Sequence, residues 1–312
     1  MRYLLLLMSL YAGSVKAQPM LADSLVKEHS LRETIFFLTQ DSLKGRLTGG
    51  QGADAAAAFI AAKFDSIGLK PMPGNQDYID SFLVRYEGKK IPAKNVIGAL
   101  PGKFTNDTMV IFSAHYDHIG QKDDLPYNKE YNNRDDIFNG ANDNATGVAA
   151  LLELAKYYKA QNNNRYLLLF VAFSGEEMGM LGSAYFMSKT KYGQIKTVIN
   201  LEMLGRPAND DCFIISLNNN SIRNTLNRYF KKYQQKGEKI FFENDPYPDQ
   251  DLSRRSDHYP FARKIKNAFT IMASSPEDIY YHSVDDEFET IDFDFLLRAT
   301  KNIAMACEQF TR

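Results

Sequence analysis

Two apolar runs, Met109 to Ala114 and Tyr166 to Phe173, pass almost without a polar break. Runs of this kind suit β-strands covered on both faces. Between them Val148, Leu151, Leu152, Ala155 and Tyr158 recur at helical spacing. Further strands are predicted at Thr197 to Leu201, Phe213 to Leu217 and Ala268 to Met272, and helices over Ser221 to Tyr233 and Phe293 to Phe310. Nearer the N-terminus, Leu21 to Thr39 and Asp54 to Gly68 read as helices. The second offers Phe59, Ile60, Phe64 and Ile67 for burial and stops at Gly68, with Pro71 and Pro73 behind it. Ile79 to Tyr86 and Asn95 to Leu100 read as strands parted by a turn around Gly88. Buried strands alternating with helices predict a single α/β domain, its central, mostly parallel mixed sheet flanked by helices on both faces.

The chain has 312 residues, enough for one large core, and no internal repeat or composition break marks a second folded domain. A formal net charge of -1 gives no reason to invoke nucleic acid or an anionic membrane as partner. Arg2 followed by the apolar Leu4 to Leu10 and then Val15-Lys16-Ala17 reads as a signal peptide over 1–17. The expected mature unit is then one catalytic domain over 18–312, exported to the periplasm or the medium. No later segment approaches the ~20 apolar residues of a membrane span. The only cysteines, Cys212 and Cys307, lie far apart and lack metal-site spacing; sequence leaves open whether they pair or stay as free buried thiols. The polar stretch Gln121 to Asn142 is long for a loop in a compact domain, a length that points to function or disorder.

Ligands gather beyond the carboxyl ends of strands in open α/β sheets. His115-Tyr116-Asp117-His118 follows the first apolar run, Ser174-Gly175-Glu176-Glu177 the second, and Glu202 the strand around Thr197. Each group can bind a metal or move a proton. An isolated histidine in such a place is usually a structural residue, and a Glu-Glu pair usually solvated surface. Two adjacent carboxylates between a buried strand and a glycine turn are costly unless a cation compensates them.

These motifs, with Gly140-Ala141-Asn142-Asp143-Asn144-Ala145-Thr146-Gly147, Asn200-Leu201-Glu202-Met203 and Tyr281-His282-Ser283, occur in one order. In that order the chain resembles the zinc aminopeptidases, in the clan that also holds glutamate carboxypeptidases and glutaminyl cyclases. The likeness extends to Leu43-Lys44-Gly45-Arg46 and Ser256-Asp257-His258-Tyr259-Pro260-Phe261. The resemblance implies two zinc ions bridged by Asp143, one completed by His115 and Glu202 and the other by Glu177 and His282. It also implies Asp117 as the acid that orients His115, and Glu176 as general base in hydrolysis of a peptide's first bond. His258 is expected near the mouth of the site, against the substrate carbonyl or else in packing, and His118 as a hydrogen-bonding loop residue. The family usually carries Asp where Glu202 stands, which makes a one-zinc enzyme the main alternative. Two other readings remain: a one-zinc glutaminyl cyclase, whose relatives line the pocket with tryptophans that this chain lacks, and a non-catalytic binding relative.

Overall fold

The computed structural model describes residues 21–124, 135–191, 194–218, 221–231, 240–274 and 277–312. The signal-peptide segment, the middle of the polar loop after Gln121 and the end of the helix expected to reach Tyr233 lie outside these.

The element order is α1 (Glu28–Leu38), α2 (Gln51–Ile67), β1 (Lys70–Pro71), β2 (Ile79–Tyr86), β3 (Lys89–Leu100), β4 (Met109–His115), α3 (Thr146–Gln161), β5 (Leu167–Phe173), α4 (Leu181–Lys189), β6 (Ile195–Glu202), β7 (Cys212–Ile215), α5 (Ile222–Phe230), β8 (Phe242–Asn244), α6 (Tyr259–Ala262), β9 (Ala268–Met272), α7 (Phe293–Ala306) and α8 (Glu308–Thr311). Residues 21–25 are also helical, but the chain leaves the helix at Val26 and Lys27, so the helix expected over Leu21 to Thr39 is two pieces. β3 starts earlier than its apolar pattern indicates, because Lys89–Ile91 pair with Arg85, Tyr86 and Val84 of the hairpin. The helix expected over Phe293 to Phe310 breaks at Cys307 into α7 and α8.

The sheet runs β1-β3-β5-β4-β6-β9-β7-β8, with β2 paired on β3. Its centre, β5-β4-β6-β9, is parallel. Both flanks join antiparallel, through β3–β5 and β7–β9. Every residue of β4 and β5 is buried, as continuous apolar strands require when helices cover both faces. Period two sorts their side chains into separate cores. Val110, Phe112, Ala114, Leu168 and Phe170 pack with residues of α1, α2, α3 and α7. Met109, Ile111, Leu167, Leu169 and Val171 pack with Phe186 of α4 and Phe261 of α6. Register brings His115 opposite Phe173 and Ser113 opposite Asn200, so β4, β5 and β6 end together. Among the described residues no helix is long and apolar enough to cross a membrane. Cys212 and Cys307 are free and buried.

Candidate metal centre

Three strand ends and two loops deliver the polar groups. β4 ends on His115, which is wholly buried. Its Nδ1 lies 3.1 Å from the backbone carbonyl of Asp117 and 3.8 Å from that residue's carboxylate. The nearer acceptor is thus the carbonyl, and it holds the imidazole with Nε2 turned to Asp143, 3.2 Å from Oδ1. The Asp117 carboxylate, expected to orient His115, stands behind that carbonyl at ion-pair distance. That carboxylate also gathers the next strand's turn. It accepts from Thr48 Oγ1 at 2.9 Å and from the backbone N–H groups of Glu176 and Glu177 at 3.2 and 3.4 Å.

Asp143 stands on a non-helical turn just before α3. Asp286 accepts the N–H groups of Asn142 and Asp143 at 2.9 and 3.1 Å, and Arg206 in turn bonds Asp286 at 2.7 Å. Asn144 stitches the turn to the end of β6, donating to Leu201 O and accepting from Met203 N. Gly140 enters the turn at φ 56°, and a Cβ there would sit 2.6 Å from the His118 ring, so only glycine fits.

Asp143 Oδ2 faces the other way, 3.3 Å from His282 Nε2 and 3.9 Å from His118 Nδ1. Glu177 closes the group: Oε2 is 3.1 Å from His282 Nε2, and Oε1 accepts from His118 Nδ1 at 2.8 Å. One atom each from His118, Asp143, Glu177 and His282 therefore lies within 4.8 Å of the others. His282 reaches the cluster from a left-handed backbone (φ 53°), a conformation a non-glycine residue adopts at a cost.

Glu202 is buried at the end of β6 and stands outside that cluster. Its Oε2 accepts from Asn200 Nδ2 at 3.3 Å and from Ser256 Oγ. Both contacts fall on one oxygen, and the carboxylate is near enough to raise the His115 pKa. His258 does not reach the mouth of the site. It is fully buried at the start of α6, its Nδ1 2.8 Å from Thr270 Oγ1 of β9.

The electrostatics follow from charge packed out of water. Burial alone would lower the pKa of His115, but Asp143, Glu176 and Glu202 hold it well above its usual value. The same competition puts His282 at about 10, chiefly through Glu177 and Asp143. Burial works against Glu177 too, yet the adjacent His282 and His118 bring it down to about 2. For Glu176 burial outweighs the pull of His115 and, with Glu202, Glu177 and Asp257 nearby, pushes it well above the carboxylate range.

The donor set suits zinc, which takes imidazole nitrogen and carboxylate oxygen. Among the described residues, the Nε2 atoms of His115, His118 and His282 are buried without a hydrogen-bond partner. Two of them face carboxylate oxygens at 3.1–3.3 Å without hydrogen-bond geometry, as ligands around a cation do.

His118, expected as a hydrogen-bonding loop residue, bonds Glu177 and also lies within the cluster that could hold an ion. Arg46 was noted only within a motif. It is wholly buried and donates to four backbone carbonyls: Tyr116 at 2.7 Å, Gly140 at 3.0 Å, Leu38 and Asn139. It thereby ties the Asp117 and Gly140 loops to the N-terminal segment. Asp286 and Thr48 carried no signal in the sequence.

A family model described as peptidase family M28 matches residues 95–307. A "Probable leucine aminopeptidase" of Trichophyton verrucosum is 30% identical over 220 residues, 66% of this chain and 54% of that protein. The chain thus spans about half the length of the curated relatives it matches. Among solved structures, a zinc aminopeptidase from Bacillus subtilis superposes with a TM-score of 0.71 at 16% identity, covering 91% of this chain and 95% of that one. A glutaminyl cyclase of Porphyromonas gingivalis gives 0.69 at 17% identity, over 91% and 99%. At these identities the two structures establish the fold alone.

Proposed function

The chain belongs to peptidase family M28, and from that premise we propose that it is a zinc-dependent aminopeptidase hydrolysing the first bond of peptides. The observation that carries this reading is the Asp143 carboxylate, which offers Oδ1 to His115 and Oδ2 to His282. Two ions sharing one carboxylate need that arrangement. Glu177 and His282 would complete one zinc site, with His118 steadying Glu177, and His115 and Glu202 the other. Zinc bound there would supply Lewis acidity, polarising the scissile carbonyl and lowering the pKa of water toward about 7.

Glu176 has the general-base role. It shares the β5 turn with Glu177, and the Asp117 carboxylate holds the backbone N–H of both. Burial and its acidic neighbours raise its proton affinity, so it can take a proton from water and deliver it to the leaving amine. The leucine named for the fungal relative is the first N-terminal residue to try, in a panel of aminoacyl amides and peptides.

Glu176→Gln keeps the shape of the turn and removes the base. Its kcat should fall by about 10²–10⁴-fold while zinc content stays at two per chain. An N-acetylated peptide should resist the wild-type protein. Hydrolysis retained by Glu176→Gln sinks the mechanism, and cleavage of the blocked peptide sinks the aminopeptidase assignment.

A further inference from the structure

The metal cluster has a closed side and an open one. His115, Glu202, Asp257 and His258 are all buried on the first. On the second, Glu177 and His282 form the inner wall of a cleft of about 560 Å³. That is the size of sites that enclose small ligands. Its outer wall is the β2–β3 hairpin, with Tyr86 and Ile91, and the rest comes from Leu47, Ile119 and Met178. These apolar side chains are all half-buried. Among the described residues, the charged lining beyond the cluster is Glu87, Asp123 and Asp124 against Lys89.

We propose that this cleft binds the part of the substrate that leaves, selecting peptides whose second residue is apolar and disfavouring an acidic one. The inference rests on the aminopeptidase reading above. An enzyme that removes one residue encloses only that residue. The remainder of the peptide must depart through the open side, past Glu177 and His282. There its second side chain meets Leu47, Ile91, Ile119 and Met178, which gain by losing contact with water. A carboxylate at that position would lose hydration and face the acidic excess of the rim.

The test uses the full chain loaded with zinc and the N-terminal residue it turns over best. Tripeptides sharing that residue carry Leu, Ala or Asp second, and the simple amide of the same residue has no second side chain. The expected kcat/KM is about tenfold or more higher for Leu than for Asp, with Ala between. In a Tyr86→Ala, Ile91→Ala variant the Leu peptide should fall toward the Ala peptide, while the amide stays within about twofold. Unchanged amide turnover also shows that the variant is folded. Equal kcat/KM across the tripeptides overturns the inference and leaves the aminopeptidase reading intact, as does an equal loss on amide and peptide in the variant. Hydrolysis of neither amide nor peptide overturns both.

Discussion

Asp117→Asn separates two jobs open to one carboxylate. Its Oδ1 accepts the Glu176 N–H, and Oδ2 accepts the Glu177 N–H and the Thr48 hydroxyl. Asparagine keeps one oxygen and puts an NH₂ in place of the other. Thr48 can turn its hydroxyl to accept, but a backbone N–H cannot. In either orientation one buried N–H of the Glu176-Glu177 turn loses its acceptor, a cost of about 1–3 kcal/mol. Burial already raises the Asp117 pKa, so removing its charge returns part of that and the lower half of the range applies. The metal-free protein should therefore lose about 1–2 kcal/mol in urea denaturation. Zinc affinity, measured by competition with a chromogenic chelator, should weaken by about 10–100-fold, the usual effect of disturbing a group that holds a ligand. The Asp117 carbonyl still faces His115 Nδ1, so the two ions proposed above should still bind. Affinity within twofold and stability within about 0.5 kcal/mol of wild type would refute the turn-holding role. Complete loss of one ion would show that the carboxylate orients His115 after all.

Other outcomes follow from buried groups around the site. Burial lowers the His258 pKa to about 4, against 6.5 for the free side chain. The unfolded chain then binds one more proton between those values, so stability is full above pH ~6.5 and falls as pH drops toward 4, by about 3 kcal/mol. Denaturation midpoints of wild type and His258→Gln from pH 7 to pH 4 should converge on acidification by that amount; parallel curves would refute it. Arg46→Met strands four buried carbonyls, so urea denaturation should show a loss of about 3–5 kcal/mol after allowing for relief of the buried charge. Arg46→Lys should cost less but still above ~1 kcal/mol, since a point charge with three donors cannot copy the fork. A change below about 1 kcal/mol in Arg46→Met would show that water reaches those carbonyls.

The sheet's centre was legible because its signal is local. A strand covered on both faces must be apolar along its length, so Met109 to Ala114 and Tyr166 to Phe173 announced themselves. The short strands β1 and β8 gave no such signal, and neither did Lys89 to Lys94, whose polar residues are held by the hairpin's ladder rather than by burial. The helix α4 follows a glycine turn with only three buried residues and went unpredicted.

For the candidate site, the chain itself determined which chemistry was available and where along the strands it would fall. His115, Glu177 and Glu202 follow apolar runs, and strand ends in such sheets converge at one edge. It could not say what each group touches. That the Asp117 side chain holds the Glu176-Glu177 turn, that His118 joins Glu177 and that His258 lies buried under β9 are relations between segments distant in sequence. So is the anchoring of the Asp143 turn by Asp286, 143 residues away. A side chain's reach is a few ångströms, and which partners fall within it is decided when the loops pack. Tertiary structure alone therefore distinguished the groups that face the candidate ions from those that hold them in place.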